Sequence, residues 1–224
     1  MNSHTPRSRL LRNSRLPRRA DAIIDAAARV FAERGYHGAS TQAIADVLGM
    51  RQASLYYYFA SKEAALELVC EKGVDAFVDS AEAIAAGVAV PHEKLHALIA
   101  SHLAPNEIKP DYVRVFINER RYLSEASRRR IGRKSRRIER CFEDVIRSGI
   151  ADGSISVGTE VRTTMLAVLG MCNSVINWRT GDRGDMRQIA SELGRLVIGG
   201  IGGPGTALAR SRERAGTVRC VKGR

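Results

Sequence analysis

The stretch STQAIADVLGMRQASLYYYFASKEAAL, residues 40–66, decides the fold. It contains two short amphipathic runs separated by Gly49, and the second run is rich in small polar residues and tyrosine. This order is typical of a helix-turn-helix, which places its second helix in the major groove of DNA. Residues 40–66 therefore predict a DNA-binding module, and the rest of the chain has to explain how binding is controlled.

The first short helix of this stretch is predicted after Ser40 and Thr41, both of which are good N-cap residues. Its apolar positions recur with helical spacing: Ala43, Ile44, Val47 and Leu48. Gly49 ends the helix, because a helix C-terminus favours a residue that tolerates positive φ.

A second short helix is predicted over Gln52 to Phe59, with Leu55 and Phe59 on its buried face. The other side chains of this segment are candidates for contact with DNA: Arg51, Gln52, Ala53, Ser54, Tyr57 and Tyr58. Gln pairs bidentately with adenine and Arg with guanine, whereas Ser and Tyr hydroxyls suit phosphate oxygens. Lys62, in the first turn of the next helix, is placed to meet a phosphate.

The helix before this stretch completes a three-helix module. Between Arg19 and Arg34 apolar residues recur at helical spacing, and Gly35 ends the run. An ordinary helical hairpin with unspecialised tyrosines is the alternative. The order Thr-x-x-Ile-Ala, Leu-Gly, Ser-Leu-Tyr-Tyr-Tyr-Phe and Ser-Lys-Glu-x-x-Leu is too specific for that alternative.

Residues from about Ala20 to Leu68 resemble the DNA-binding domain of TetR-family transcriptional regulators. The resemblance implies that the positions matching Gln52, Ala53 and Ser54 approach bases, with Thr41 and Gln42 contributing from the preceding helix. It also implies phosphate contacts from three further positions: Tyr56, Tyr58 and Lys62. Tyr58 stands where His is frequent in the family, which alters that contact but not its role. The resemblance further implies an all-α chain of nine or ten helices, a homodimer and a C-terminal ligand pocket.

Composition agrees with a DNA-binding module plus a helical core. The chain has 224 residues, of which 5% are aromatic, and no apolar run of about 18 residues that would span a membrane. No secretory signal pattern follows the basic N-terminus, so we expect a cytoplasmic protein. The four cysteines are far apart and have no zinc-ligand spacing, so we expect small buried hydrophobes in a reducing compartment, with no cofactor.

The net charge of +12 is concentrated at the two ends of the chain. Residues 1–20 carry +6 and residues 203–224 carry +5, so the intervening residues carry only +1. We expect four segments: a basic disordered arm, a DNA-binding domain, an effector and dimerisation domain, and a basic disordered tail. Their bounds are 1–18, 19–64, 65–202 and 203–224. The arm either follows DNA phosphates or is a solubilising extension.

Beyond residue 68 the pattern predicts successive helices, at about 93–103, 111–124, 127–151, 160–179 and 185–200. The last two are apolar on broad faces and must bury two sides. In TetR-like regulators the corresponding helices pair in a four-helix dimer interface, whereas burial within the monomer is the alternative. A dimer would read an inverted repeat, since two recognition helices about 34 Å apart fit successive major grooves.

The effector site is harder to predict than the DNA-binding site. Aromatic and cationic side chains mark two candidate segments for ligand binding: Phe116, Arg120, Arg121, Trp178 and Arg179. Core packing of Trp178 and a structural ion pair of Glu119 with Arg120 are the alternatives. These segments are similar to a TetR branch that responds to acyl-CoA thioesters, which makes an acyl-CoA the leading effector. A hydrophobic cationic or aromatic compound is the other candidate.

Residues 128–140 form a basic run of eight cations with one acid, Glu139. DNA, acidic residues of another helix or a ligand phosphate could offset it, and a solvated face is the common explanation. The pair His92 and His96 lacks the pattern of a zinc hydrolase, so we expect no metal site and no enzyme. A ligand-responsive repressor is the leading class, and an architectural DNA-binding protein without sequence preference is the alternative.

Overall fold

The structure is a computed structural model that describes residues 7–178 and 185–203, with side chains from Arg19 onward except at position 76. Within these ranges the chain is helical, apart from one isolated bridge between Ile155 and Gly202. The helices are α1 (Arg7–Gly38), α2 (Thr41–Val47), α3 (Gln52–Leu55), α4 (Lys62–Ala86), α5 (Pro91–Leu103), α6 (Pro105–Ile108), α7 (Pro110–Glu119), a 3₁₀ turn (Arg120–Tyr122), α8 (Glu125–Ala151), α9 (Val161–Trp178) and α10 (Met186–Ile201). The prediction of an all-α fold is confirmed.

The predicted helices differ from the observed ones at two ends. The helix predicted over residues 52–59 stops at Leu55, and the next three residues form a turn closed by the Tyr58 N–H on the Leu55 carbonyl at 2.8 Å. Successive tyrosines lose side-chain freedom in a helix, which favours the turn. The helix predicted over 111–124 ends at Glu119 and continues as the 3₁₀ turn. The short helix α6 was not predicted.

The chain forms two compact units. One comprises the chain up to Val74 together with Asp111–Ile131, and the other comprises Asp75–Pro110 together with the chain from Gly132 onward. Both α4 and α8 contribute residues to each unit. The predicted domain bounds 19–64 and 65–202 stay predictions. Disorder of the two terminal segments also stays a prediction. Residues 7–18 continue α1, and residues 204–224 lie outside the described residues.

The first unit buries the apolar stripes that the sequence shows. Its fully buried side chains come from all four N-terminal helices: Ile23, Val30, Phe31, Ile44, Leu55, Leu66 and Val69. Full burial of such a side chain is worth about 1.5–3 kcal/mol. Gly35 has φ +66° and breaks the helical geometry inside α1, so the predicted end of this helical run is confirmed.

The second unit is built on the contact between α5 and α10. Gly194 of α10 is buried against His96 of α5, so closely that a Cβ at position 194 would lie 2.4 Å from the His96 ring. Apolar side chains of α5, α8 and α9 complete this core: Leu95, Leu98, Ile99, Leu103, Phe142, Ile146, Met165, Val168 and Val175. Glycine is therefore favoured at position 194, because any larger residue would force His96 or one of the two helices to move.

Candidate nucleic-acid interface

The geometry of α2 and α3 follows from their capping residues. The Ser40 side chain accepts a hydrogen bond from the Ala43 N–H at 3.1 Å, which satisfies one of the free N–H groups at the start of α2. Gly49 has φ +60°, so the chain turns sharply between α2 and α3. Leu55 and Phe59 are buried, as predicted, and they fix the orientation of the segment between them.

The predicted recognition residues lie on the surface of this module. Arg51, Ala53 and Ser54 are exposed, and Tyr57 is 79% exposed. Tyr56 is half exposed and Tyr58 is partly covered, with its ring 5.2 Å from that of Tyr57. The module therefore presents a row of polar and aromatic side chains that are exposed or partly exposed.

Two of the predicted DNA contacts are hydrogen-bonded to each other. The Gln52 Nε2 donates to the Thr41 hydroxyl at 2.6 Å, and Gln42 donates in the same way to Asp46 of its own helix at 2.6 Å. A Gln amide has two N–H donors and one carbonyl. Gln52 therefore keeps one donor and its acceptor, which are the groups that a bidentate contact with adenine requires.

A shallow depression of about 360 Å³ lies beside this surface. It is lined by Ala39, Ser40, Thr41, Tyr56, Ala60, Ser61 and Lys62. It contains three predicted contacts and the start of the long helix α4, where Ser61 accepts from the Ala64 N–H at 3.2 Å. Hydroxyls, an ammonium group and a helix N-terminus are groups that bind a phosphate.

Lys62 also has a structural role that the sequence did not indicate. Its Nζ donates to the carbonyl oxygens of Tyr36 at 2.9 Å and Ala39 at 3.1 Å, and it lies 4.4 Å from the centre of the Tyr36 ring. An ammonium group has three donors. Two of them hold the segment between α1 and α2, which leaves one for a phosphate.

Tyr36 is the centre of a cluster that fixes this connecting segment. Its amide donates to Glu119 Oε2 at 2.9 Å, its hydroxyl donates to Glu63, and its ring stacks on Tyr122 with centroids 5.1 Å apart. Burial, followed by the hydrogen bond to Glu63, raises the pKa of Tyr36 to about 12. The same hydrogen bond lowers the pKa of Glu63.

Sequence analysis missed this cluster, because Glu119 and Tyr122 are more than 80 residues from Tyr36 and only tertiary structure brings them together. The one local signal was the connector Gly35-Tyr36-His37-Gly38. Its glycines indicated a turn, but nothing in their spacing indicated what would pack against it.

Both the N-terminal and the C-terminal parts of the chain match known protein families. Residues 23–69 match the family described as bacterial regulatory proteins, tetR family, and residues 88–201 match the tetracyclin repressor-like C-terminal domain. The chain belongs to the TetR family. It is thus a DNA-binding transcriptional regulator, and the sequence resemblance is confirmed.

Similar proteins include a transcriptional repressor, a fatty acid metabolism regulator and a regulator solved with operator DNA. The chain is 25% identical over 185 residues to the transcriptional repressor KstR2 of Mycolicibacterium smegmatis, covering 82% of this chain and 90% of that protein. It is 26% identical to the fatty acid metabolism regulator protein of Bacillus subtilis, covering 80% and 93%. The structure of AibR in complex with isovaleryl coenzyme A and operator DNA is similar at a TM-score of 0.74, with 25% identity over 80% of this chain and 98% of that one.

The residues predicted to bind an effector in this TetR-family chain fall in different places. Phe116 and Arg120 are neighbours in the first unit, with the guanidinium 5.2 Å from the ring centre, and Arg121 lies 4.9 Å from the ring centre of Tyr122. Trp178 is at the end of α9 in the second unit, half exposed, and donates to Ser174 at 3.1 Å. Arg179 lies outside the described residues. Their predicted role stays a prediction.

Acidic residues of α4 offset part of the basic run in α8. In the first unit Arg130 pairs with Glu67. In the second unit Lys134 pairs with Asp75 at 2.7 Å, and Arg137 forms two hydrogen bonds of 2.7 Å with Glu82. Acidic residues of another helix were one of the predicted explanations.

The exposed positions of the same run are all basic, although Arg137 pairs with Glu82 and Arg129 pairs with Glu125 at 2.9 Å. Every exposed residue between positions 128 and 140 is an arginine: Arg128, Arg129, Arg133, Arg136, Arg137 and Arg140. We call these six residues the arginine face. In the part of the chain that the structure describes, no helix is long and apolar enough to cross a membrane.

Proposed function

We propose that this TetR-family chain is a homodimeric repressor that binds an inverted-repeat operator and is released by an acyl-CoA thioester. The observation that supports the DNA-binding part is the Gln52–Thr41 hydrogen bond beside the depression that Lys62 and Ser61 line. It orients an amide suited to contact a base next to hydroxyl and ammonium groups suited to contact a phosphate. A cytoplasmic location is part of this proposal, because such a regulator must reach its DNA operator.

The homodimer is supported by exposed apolar side chains on α9 and α10. Leu166, Met171 and Trp178 of α9 and Leu196 of α10 are between 37% and 59% exposed. Large apolar residues that remain on the surface of the last two helices are typical of a protein–protein interface. This surface agrees with the predicted pairing of residues 160–179 and 185–200 between two subunits.

The oligomeric state tests this pairing directly. We expect sedimentation of the full chain to give a dimer, and Leu196→Lys to shift it toward the monomer, because a charge would be buried without a partner. Val157→Lys is the matched control, since Val157 is 85% exposed and lies outside α9 and α10. Equal dimerisation of the two variants would place the interface elsewhere.

An acyl-CoA effector is supported by what similar proteins bind or regulate. AibR has been solved with isovaleryl coenzyme A and operator DNA, and the Bacillus relative is a fatty acid metabolism regulator. Release then requires only that the effector binds the conformation with low operator affinity more tightly than the other one.

Selection of bound sequences from a random DNA pool at about 150 mM salt is the first test, since this concentration weakens purely phosphate-driven binding. We expect an inverted repeat. Weakly bound, unrelated sequences would instead indicate an architectural DNA-binding protein or a regulator that needs its ligand in order to bind.

The selected operator then serves to test the effector. Fluorescence anisotropy of the labelled operator is followed while acyl-CoAs of increasing chain length are added to the complex. We expect release within a defined range of chain lengths. If no chain length releases the DNA, the effector is another hydrophobic molecule, and a library of uncharged and cationic compounds is tested in the same assay.

A further inference from the structure

Three residues of the arginine face lie in the second unit and form no ion pair within the described residues: Arg133, Arg136 and Arg140. Arg137 beside them is held by two hydrogen bonds to Glu82. This contact is the main cause of the lowered pKa of Glu82, and Arg140 adds a smaller contribution. The acids of the next turn, Glu143 and Asp144, both bind Arg147. No ion pair of the described residues therefore neutralises the three arginines.

The three arginines form one stripe along α8, which we call the arginine stripe. Because a helix turns by about 100° per residue, they lie within about 60° of arc and span about 10 Å along the axis. The opposite side of α8 is packed into the core through Ile138, Phe142 and Ile146. The stripe therefore points away from the core, and its members, three and four positions apart, repel one another unless an anion approaches.

The residue type of the stripe favours phosphate as that anion. All three members are arginines, whereas the only lysine between positions 128 and 140, Lys134, pairs with Asp75 at 2.7 Å. A planar guanidinium binds two phosphate oxygens at once, which an ammonium group does not do. One strand of B-DNA presents a phosphate about every 3.4 Å along its axis, so a stripe of about 10 Å meets about three of them.

The surroundings of the stripe favour the backbone of duplex DNA over other polyanions. The exposed residues between positions 128 and 140 include no aromatic side chain and no amide, so they supply no group that stacks on unpaired bases or reads an adenine edge. A helix that binds a lipid surface inserts its apolar side. The apolar side of α8 is buried in the protein core, so it is not available to a membrane.

We propose that the arginine stripe is a second DNA-binding site, which contacts the phosphates of duplex DNA without reading its sequence. The site is distinct from the helix-turn-helix, and it depends neither on the proposed operator nor on the proposed effector. In a regulator that the helix-turn-helix already holds on DNA, the duplex is present at high effective concentration, so a few additional contacts are sufficient. Such contacts keep a protein on DNA while it slides along the backbone.

The salt dependence of binding tests the site. Affinity of the full chain for a labelled duplex of random sequence is measured by fluorescence anisotropy between about 50 and 200 mM salt. The logarithm of affinity falls with the logarithm of salt concentration by about 0.9 for each phosphate neutralised. We therefore expect the combined variant Arg133→Gln, Arg136→Gln and Arg140→Gln to lower this slope by about 2–3.

The matched control removes three exposed arginines elsewhere in the chain: Arg114→Gln, Arg147→Gln and Arg162→Gln. It changes the net charge equally, and we expect its slope to fall by less than about 1. A third protein replaces the three residues of the stripe with lysine. It keeps the charges but loses the guanidinium fork, so we expect the wild-type slope with weaker binding. Urea unfolding of each protein confirms that it is folded.

Each outcome decides for or against the stripe as a DNA site. Equal slopes in the two glutamine variants would mean that the stripe is a solvated face, and the proposal is then wrong. It is also wrong if lysine fails to restore the slope, because the lost contact is then not one of charge. If the stripe variant binds duplex as wild type does but loses binding of labelled polyglutamate, the partner is an acidic protein. Selection of an operator sequence tests the proposed function separately.

Discussion

At the scale of single residues, the proposed DNA contact of Gln52 depends on how this side chain is held before DNA binds. Its bond to Thr41 at 2.6 Å restricts a side chain that otherwise samples many rotamers. A restricted side chain loses less conformational entropy on binding, so the same two contacts with a base give higher affinity. We therefore expect the Thr41 hydroxyl to contribute to specificity even where it contacts no base.

A double-mutant cycle tests this restriction. We expect Gln52→Leu to weaken operator binding by about 1–3 kcal/mol and to relax base preference at one position. Thr41→Val should cause a smaller loss of operator affinity, because Gln52 keeps its amide group but loses the hydrogen bond that orients it. The two losses should not add, since both changes remove one shared interaction. Anisotropy titrations of the four proteins measure this, and additive losses would mean that the two residues act independently.

At the scale of helices, the connecting segment between α1 and α2 is held from two directions. Lys62 and Glu63 at the start of α4 bind Tyr36 from one side, and Glu119 and Tyr122 at the end of α7 bind it from the other. The position of α2 on the module therefore depends on α7. We therefore expect even a small shift of α7 to move α2 and the side chains predicted to contact DNA.

Removal of the Glu119 carboxylate tests this dependence. Glu119→Ala leaves the Tyr36 N–H without its acceptor, so we expect faster amide hydrogen exchange between residues 35 and 39 and weaker operator binding. Glu107→Ala, at an exposed position of α6, is the control and should leave both quantities unchanged. Protected amides in Glu119→Ala would show that α4 alone holds the segment.

The close approach of α5 and α10 gives a second prediction at this scale. Gly194→Ala would place a methyl group 2.4 Å from His96, so His96 must rotate or the helices must separate. We expect a loss of about 1–3 kcal/mol in the free energy of unfolding by urea. Gly132→Ala in α8 meets only the tip of Arg136, at 3.8 Å, and should be neutral or stabilising. Equal stability of the two variants would contradict the contact.

Local signals explain why most helices could be predicted and why their junctions could not. Gly35 and Gly49 end helical runs because their φ values of +66° and +60° suit glycine. The cluster around Tyr36 could not be predicted, because its members are distant in sequence. The hydrogen bond between His102 Nε2 and Asn173 Oδ1 in the second unit was missed for the same reason, since 71 positions separate two ordinary polar residues on different helices.

At the scale of the whole molecule, stability should depend on pH through His102. Its pKa is lowered, mainly by burial, from the ordinary value of 6.5. The folded state thus binds this proton less readily than the unfolded state does. The contribution of the neutral ring is complete above pH 6.5 and is lost as the pH falls through the lowered pKa.

Urea unfolding at several pH values measures this loss. We expect wild type to lose stability on acidification from pH 7.5 to 5.5, and His102→Gln to lose less over the same range, because glutamine does not titrate. Parallel profiles for wild type and His102→Gln would mean that other groups set the acid sensitivity.

The arginine face affects which polyanions bind to the protein during purification. Its six arginines lie within thirteen positions of one helix, on a surface that has no part in the helix-turn-helix, and two of them, Arg129 and Arg137, pair with Glu125 and Glu82. Such a surface attracts any polyanion at low ionic strength and releases it as salt rises. Cellular RNA will therefore co-purify with the protein unless it is washed at high salt, and heparin resin will retain the chain even when its recognition surface is disabled. Retention on heparin is consequently no measure of operator recognition for this chain.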